Sequence, residues 1–270
     1  MATGALALLG VAPERAVAEA PKSRGCPAEM ARIGGYCIDR WEASVVDKTT
    51  GEALSPYYPP SPRLLSEVWR GWLVERDQLG DEAARAMPLP PLSELQRRGR
   101  FEAKAVSRPG VIPQSYLSQP LARKACENAG KRLCTQAEWV TACKGKAGQK
   151  FPYGGSYRQG VCNVYRLVHP AAVLHGSPSL GHRDPRLNLV HEGDAPLLRL
   201  TGETAGCVSR WDDERIYDMV GNIDEWVEDG MFVGGFYARS STNGCEAKVG
   251  SHAPIYYDYS TGTRCCKDAQ

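Results

Sequence analysis

Cysteine is the residue type in this sequence with the widest choice of chemistry, because a thiolate can bind metals and attack electrophiles. The ten cysteines are Cys26, Cys37, Cys126, Cys134, Cys143, Cys162, Cys207, Cys245, Cys265 and Cys266. An even number spread along the chain is typical of disulfides formed in an oxidising compartment. Zinc is the alternative, since thiolates are its usual ligands. Because the sequence has no Cys-x-x-Cys pair and no zinc-knuckle spacing, we predict disulfides rather than zinc.

Four of the five histidines fall in one segment of the chain, where they could bind a metal ion. They are His169, His175, His182 and His191. Two of them with a carboxylate such as Asp184 or Asp194 would suit non-heme iron. Their spacings match no helical face and no known ligand motif. We therefore predict solvent-exposed loop histidines, with iron as the alternative.

The segment from Tyr217 to Trp226 has the residue types of a calcium site. Asp218 and Glu225 offer carboxylate oxygens, and Gly221 and Ile223 can turn backbone carbonyls inward between them. Calcium prefers such a mixed shell of oxygen ligands. The alternative is a plain acidic loop. The sequence predicts a structural calcium ion bound by these four residues.

Several short elements must position these residues. A hairpin is predicted between Cys26 and Val46, with its turn at Gly34-Gly35, so that Cys26 and Cys37 lie across it and can close a small loop. Apolar residues at helical spacing predict a helix over 64–86. This helix lies in an apparent insertion at about 47–106, either packed on the surface or acting as a partner-binding flap.

Two further helices are predicted near the middle of the chain. The first covers 118–128, with Ser118 capping its amides and a proline in its first turn. A short strand at 132–134 follows. Thr135 then caps the second helix, which runs to Cys143, and Glu138 completes a capping box. A long loop over 162–207, rich in Pro, Gly and His, needs a cross-link to hold it.

Composition excludes some classes of function. The formal net charge is +2, which gives no electrostatic case for nucleic-acid binding. The basic run Arg97, Arg98, Arg100 and Lys104 is typical of a solvated face.

The N-terminus suits export. Residues 5–12 are apolar and precede Ala16-Val17-Ala18, a small-x-small cleavage pattern. We predict a signal peptide over 1–20, cleaved near Ala18 or Ala20 and truncated at its start, since no basic residue precedes the apolar run. A disordered tail is the alternative. Residues 21–270 then form one domain that is periplasmic, secreted or on the cell surface, with no transmembrane segment.

Four blocks carry a recognisable pattern: 125–143 (ACENAGKRLCTQAEWVTAC), 151–155 (FPYGG), 217–226 (YDMVGNIDEW), and Gly234-Gly235 leading to 262–265 (GTRC). Together they resemble the formylglycine-generating enzyme (sulfatase-modifying factor) family. The resemblance runs from about Cys26 to Cys266. It implies an α+β fold that is irregular, loop-rich and C-type-lectin-like, with low secondary-structure content and disulfide staples.

The resemblance also implies specific cross-links and ligands. It implies disulfides from Cys126 to Cys265 and from Cys143 to Cys245. The cysteines that remain are assigned as Cys162 with Cys207 and Cys134 with Cys266. For the calcium site it implies the same Asp218, Gly221, Ile223 and Glu225. A second calcium site would use the side chain of Asn163 and the carbonyl of Val164.

The chemistry of the family needs two cysteines just past the Gly-Gly turn, which bind copper(I) and activate oxygen to convert a substrate cysteine to formylglycine. Here the first of these positions falls on Arg239 and the second falls within Ser240 to Gly244. A guanidinium or a hydroxyl does not replace a soft thiolate as a copper(I) ligand. We therefore assign no catalytic residue and expect no copper.

The sequence thus favours a non-catalytic binding module over an enzyme. It would contact a protein or peptide partner through a groove near Phe236, Tyr237 and Arg239. The alternative is a formylglycine-generating or related metal-dependent oxidase with a rearranged site. A carbohydrate-binding role rests on the lectin-like fold alone.

Overall fold

The computed structural model describes residues 25–76, 80–239 and 242–270. The predicted signal peptide at 1–20, and Ser240 and Ser241 in the stretch aligned with the copper cysteines, lie outside the described residues. The strands are β1 (Met30–Ile33), β2 (Tyr36–Asp39), β3 (Ala43–Asp47), β4 (Ala103–Ser107), β5 (Arg132–Leu133), β6 (His191–Glu192), β7 (Ala195–Pro196), β8 (Val208–Trp211), β9 (Glu214–Tyr217), β10 (Asp224–Trp226), β11 (Phe232–Val233), β12 (Lys248–Val249), β13 (Thr261–Gly262) and β14 (Cys265–Asp268).

These strands form two four-stranded sheets, ordered β1-β2-β14-β5 and β12-β11-β10-β13, and three two-stranded ribbons, β3-β4, β6-β7 and β8-β9. The helices are α1 (Pro62–Glu75), α2 (Glu82–Ala86), α3 (Glu94–Arg98), α4 (Gln119–Asn128), α5 (Gln136–Lys144) and α6 (Pro170–His175). In the part of the chain that is described, no helix is both long and apolar enough to cross a bilayer. Many short strands and much irregular chain give the predicted irregular α+β fold.

The first sheet joins the two ends of the domain. β1 and β2 form the predicted hairpin, with Ile33 opposite Tyr36 across the Gly34-Gly35 turn. The C-terminal strand β14 pairs with β2 on one side and with β5 on the other. The chain therefore closes on itself, and the two adjacent cysteines of β14 lie between the N-terminal hairpin and the segment that leads into α5.

Disulfides hold this irregular chain together. The structure pairs Cys26 with Cys37, Cys126 with Cys265, Cys134 with Cys266, Cys143 with Cys245 and Cys162 with Cys207. These are the same pairs that the sequence predicts, and no cysteine is free. Three of the bridges span more than a hundred residues, so they connect α4 and α5 to the last part of the chain.

The two central helices form as predicted, apart from one cap. Thr135 accepts a hydrogen bond from the Glu138 amide, and the Glu138 side chain accepts one from the Thr135 amide, which completes the capping box. Ser118 stands at the N-cap of α4 in an extended conformation, but its side chain makes no capping hydrogen bond. The prediction that Ser118 caps the helix amides is therefore wrong, and the proline in the first turn, which lacks an N–H, reduces the need for a cap.

The predicted insertion is helical but contains several helices. In place of one helix over 64–86, α1 ends at Glu75 and α2 begins at Glu82. Gly80 lies between them with φ of +80°, and a Cβ on it would lie 2.0 Å from the carbonyl oxygen of Leu174, so only glycine fits this close approach. The insertion ends in β4, which pairs along its whole length with β3. The predicted insertion thus begins and ends at one two-stranded ribbon.

The predicted long loop over 162–207 also has local structure, because α6 and the β6-β7 ribbon form within it. Helix α6 packs against α2 and against the 3₁₀ turn at Leu187–Leu189. This packing turns His175 into the interior, where it is buried. The prediction that all four histidines are exposed is therefore wrong for His175.

Candidate functional site

A buried ion pair lies at the centre of the acidic segment. Glu225 in β10 and Arg264, just before β14, are both buried, and the guanidinium binds both oxygens of the carboxylate. Arg264 Nε donates to Glu225 Oε2 at 2.7 Å, and Arg264 Nη2 donates to Oε1 at 2.6 Å. Trp139 Nε1 also donates to Oε2, at 2.6 Å. The Glu225 carboxylate is therefore fully engaged by charge-assisted hydrogen bonds.

Two further buried carboxylates face the same guanidinium. Burial, and then the negative charges of Asp218 and Glu225, raise the pKa of Glu42 well above its usual value. Burial likewise raises the pKa of Asp218 to about 7, although the hydrogen bond from the Gly202 amide and the charge of Arg264 both lower it. Glu42 Oε2 accepts from Asn222 Nδ2 at 2.8 Å, while Oε1 has no partner among the described residues. A protonated Glu42 would reduce the excess negative charge around Arg264.

These contacts do not fit the predicted calcium site of Asp218, Gly221, Ile223 and Glu225. Both oxygens of Glu225 already bind a cation, and the Gly221 carbonyl accepts from the Ile223 amide at 2.8 Å. A divalent ion placed here would meet the guanidinium as a like charge. Within the described ranges, no group of three or more His, Cys, Asp or Glu side chains is arranged to hold a metal ion.

The second predicted calcium site also has a guanidinium beside it. Asn163 Oδ1 accepts from Arg166 Nε at 2.8 Å, and Arg166 Nη1 lies 3.2 Å from Glu192 Oε2. Asn163 is further tied to Asn222, to which its Nδ2 donates at 2.9 Å. Gly221 packs closely here with φ of +85°, and a Cβ on it would lie 2.4 Å from the Asn163 carbonyl oxygen. The side-chain oxygen predicted to bind calcium therefore binds an arginine.

Chelation tests whether calcium binds at either of the two predicted sites. We expect excess EDTA to leave the melting temperature unchanged, because Arg264 and Arg166 already supply positive charge where the sequence predicts calcium. The measurement is thermal unfolding by circular dichroism of protein dialysed against EDTA, compared with the same protein in millimolar calcium. A rise of several degrees with calcium would mean that the ion binds the native state and that our reading of the geometry is wrong.

The region aligned with the copper cysteines is built around Arg239. Its guanidinium pairs with the buried carboxylate of Asp224, the first residue of β10. Its Cζ lies 5.4 Å from the ring centre of Phe236 and 6.0 Å from that of Phe232. Burial raises the pKa of Asp224 to about 7, and the charge of Arg239 opposes this rise. The Arg239 guanidinium therefore lies near two aromatic rings and partly offsets the negative charge of Asp224.

Aromatic and histidine side chains surround this pair. Tyr259 packs edge-on against Phe236 at 5.6 Å and against His169 and His182 at 6.2 and 6.0 Å. Its hydroxyl lies 3.3 Å from His169 Nε2. Burial, and then the neighbouring His182, lower the pKa of His169, which favours the neutral imidazole. Tyr256 donates to Asp258, which extends the polar network.

The predicted groove is largely closed. Tyr237 is fully buried, and its hydroxyl donates to Asn188 Oδ1 at 2.8 Å. Phe236 is also buried. The side chain of Arg239 is 31% exposed, so of the three predicted groove residues it alone offers a substantial surface. The groove prediction is therefore wrong for Phe236 and Tyr237, which form a core beneath Arg239.

The histidines do not converge on one point. His169 and His182 meet at Tyr259, whereas His175 lies elsewhere, with Nε2 at 3.1 Å from Asp184 Oδ2. Asp184 is bound mainly by Arg186, which donates from Nη2 at 2.7 Å. His191 and Asp194 are exposed around the β6-β7 ribbon. The structure therefore assembles no two-histidine, one-carboxylate set from the residues that the sequence proposed for iron.

Sequence reasoning missed four residues of these sites. Asp224 and Arg264 lie inside two of the four sequence blocks that resemble the family but have no predicted role, and Glu42 and Arg166 lie outside these blocks. Charge balance is the signal that could have found the arginines, since a buried acidic segment needs a cation. Nothing in the local sequence of Glu42 marks it, because its neighbours Asn222 and Arg264 come from distant parts of the chain.

Comparison with known proteins gives the family. A family model described as a sulfatase-modifying factor enzyme 1-like domain matches residues 93–269. Among solved structures, "Crystal Structure of CarF" matches with a TM-score of 0.41 and 13% identity, covering 87% of this chain and 87% of that one. "Structure of PvdO from Pseudomonas aeruginosa" matches with a TM-score of 0.40 and 14% identity, covering 86% and 80%. No curated protein sequence matches significantly. Because the family model spans well over half of its length, this chain belongs to the sulfatase-modifying factor enzyme 1-like family.

Proposed function

We propose that this chain is an exported, disulfide-stapled family member that works by binding a protein or peptide partner and does not oxidise thiols with copper. The observation that carries the proposal is that all ten cysteines are in disulfides. Copper(I) selects thiolates, and a bridged cysteine supplies none. Cys245, the cysteine nearest to the aligned position, is bridged to Cys143 beneath the surface.

The replacement at the aligned position supports a binding role. Arg239 is held by Asp224 and by two aromatic rings, so its exposed edge is pre-organised, and little conformational entropy is lost when a partner contacts it. Arginine and aromatic residues are enriched at protein interfaces. The five disulfides support export, since such bridges form and persist in oxidising compartments.

Thiol titration and metal analysis test this proposal. We expect protein unfolded in guanidinium chloride without reductant to react with no thiol reagent, and folded protein to take up no copper(I) in competition with a chromogenic chelator. Protein reduced before unfolding is the control that shows that every cysteine can be detected. Two reactive thiols together with stoichiometric copper would overturn the proposal, and stoichiometric iron would favour the oxidase alternative.

A further inference from the structure

A large cavity lies in the helical insertion, outside the region of Arg239. It has a volume of about 880 Å³ and lies between α1 and the segment that leads into and through α3. This volume is within the range of small-molecule sites, which is roughly 300–1,000 Å³. Its lining includes Tyr58, Leu65, Trp69, Arg70, Leu92 and Gln96.

The walls are mainly apolar and pre-formed. Leu65 and Tyr58 are buried at the cavity, and the Tyr58 hydroxyl donates to the Pro90 carbonyl at 2.8 Å, which fixes the proline-rich wall. Trp69 lines the cavity and yet remains 45% exposed. A large apolar side chain left in water beside a cavity marks a surface where an apolar ligand is stabilised.

The charges on this cavity have one sign. Arg70, Arg97 and Arg98 line it, and no acidic residue among the described ones does. Arg97 and Arg98 are paired with Glu94, which lies outside the lining. Arg70 makes no ion pair with any residue in the described part of the chain, and its Nε donates only to the Ser66 carbonyl of its own helix, at 3.2 Å. The exposed edge of the cavity therefore has a cation available to an anion.

A polar group without a partner lies at the same cavity. Gln96 is buried, and its Oε1 accepts from the Ser55 amide at 2.7 Å. Its Nε2 is buried and has no hydrogen-bond partner among the described residues. An unpaired buried donor is costly, so this amide is, besides Arg70, a second group of the cavity that a ligand carboxylate would stabilise.

We propose that this cavity binds an anionic amphiphile, with a flexible apolar chain lying along Leu65, Trp69 and Leu92 and a terminal carboxylate at Arg70. The apolar walls account for the chain of the ligand, and Arg70, which has no ion-pair partner among the described residues, accounts for its charge. The inference is independent of the proposed function, because the cavity belongs to the insertion and shares no residue with the Arg239 region.

Isothermal titration calorimetry of the intact protein tests the proposal, with decanoate as the probe and decanol as its uncharged equivalent. We expect decanoate to bind at one site and decanol to bind at least about threefold more weakly, since an exposed charge pair contributes modestly. R70Q should weaken decanoate binding by a similar factor and leave decanol binding unchanged. R100Q is the matched control, because Arg100 is exposed and does not line the cavity.

A second variant tests the apolar wall. W69A should weaken binding of both probes about tenfold or more, and the exposure of Trp69 means that the variant should still fold, as circular dichroism would show. If folded wild-type protein binds no decanoate at millimolar concentration, or if both R70Q and W69A bind it as wild type does, the proposal is overturned. Equal binding of decanoate and decanol would overturn the assignment of Arg70 to the carboxylate.

Discussion

Replacing Arg264 with methionine is expected to lower the free energy of unfolding by about 3–5 kcal/mol, because it leaves Glu225 buried and without its cation. The loss of a buried ion-pair partner costs far more than the loss of a surface ion pair. Here the effect is increased by Glu42 and Asp218, whose carboxylates face the same guanidinium. Urea denaturation followed by circular dichroism measures the change.

A surface arginine supplies the control for this experiment. Arg123 pairs with Glu228 at 2.9 Å, with both side chains substantially exposed, so R123M should change the free energy of unfolding by less than about 1 kcal/mol. The double variant E225Q/R264M should recover part of the loss, since it removes the stranded charge. If R264M were as stable as R123M, Arg264 would not be the cation that stabilises the buried acidic segment.

Removing the bridge between Cys126 and Cys265 is expected to have a comparable effect. The two cysteines are 139 residues apart, but the bridge between Cys134 and Cys266 remains in this variant and shortens the loop to roughly ten residues. Chain-entropy reasoning then gives about 3 kcal/mol, and the loss of two fully buried side chains from the core adds to this cost. The bridge joins α4 to β14. The double variant C126A/C265A should therefore unfold at much lower denaturant concentration than the wild-type chain.

The small N-terminal bridge provides the comparison. Cys26 and Cys37 are 11 residues apart, so the same reasoning gives about 3 kcal/mol for C26A/C37A. The two loops are of similar effective length, so the difference between the variants reports the packing lost from the core, where Cys126 and Cys265 are fully buried and Cys26 is only partly buried. Equal losses from the two variants would contradict the view that the buried bridges to β14 are the main staples of this fold.

Disulfide pairing and the central helices could be predicted from the sequence because their signals are local or covalent. The capping box at Thr135 depends on two residues three apart, and the hairpin depends on one turn. The cysteines restrict the possible folds strongly, because each must lie next to another cysteine once free thiols are excluded. The family resemblance then supplied the two long-range pairs that spacing alone does not determine.

The candidate sites were harder to predict because they depend on which groups the fold brings together from distant segments. Arg264 and Glu225 are 39 residues apart, and Glu42 comes from a third region of the chain. The residue types at Asp218 and Glu225 suit calcium, but the Arg264 guanidinium provides positive charge in the same place. Likewise, Tyr237 was predicted in a groove from its position after the Gly-Gly turn, whereas its hydroxyl pairs with Asn188 in the interior.

Disulfide mapping by mass spectrometry tests the central claim most directly. Protein alkylated without reduction is cut with trypsin and a Glu-specific protease, which separates Cys134 from Cys143 at Glu138. We expect a linked species that joins the Cys143 and Cys245 peptides, and no alkylated cysteine. If Cys245 were instead recovered alkylated, with Cys143 unpaired or bridged elsewhere, a free thiol would remain six residues after Arg239, and the account of this chain as a bridged binding module would fail.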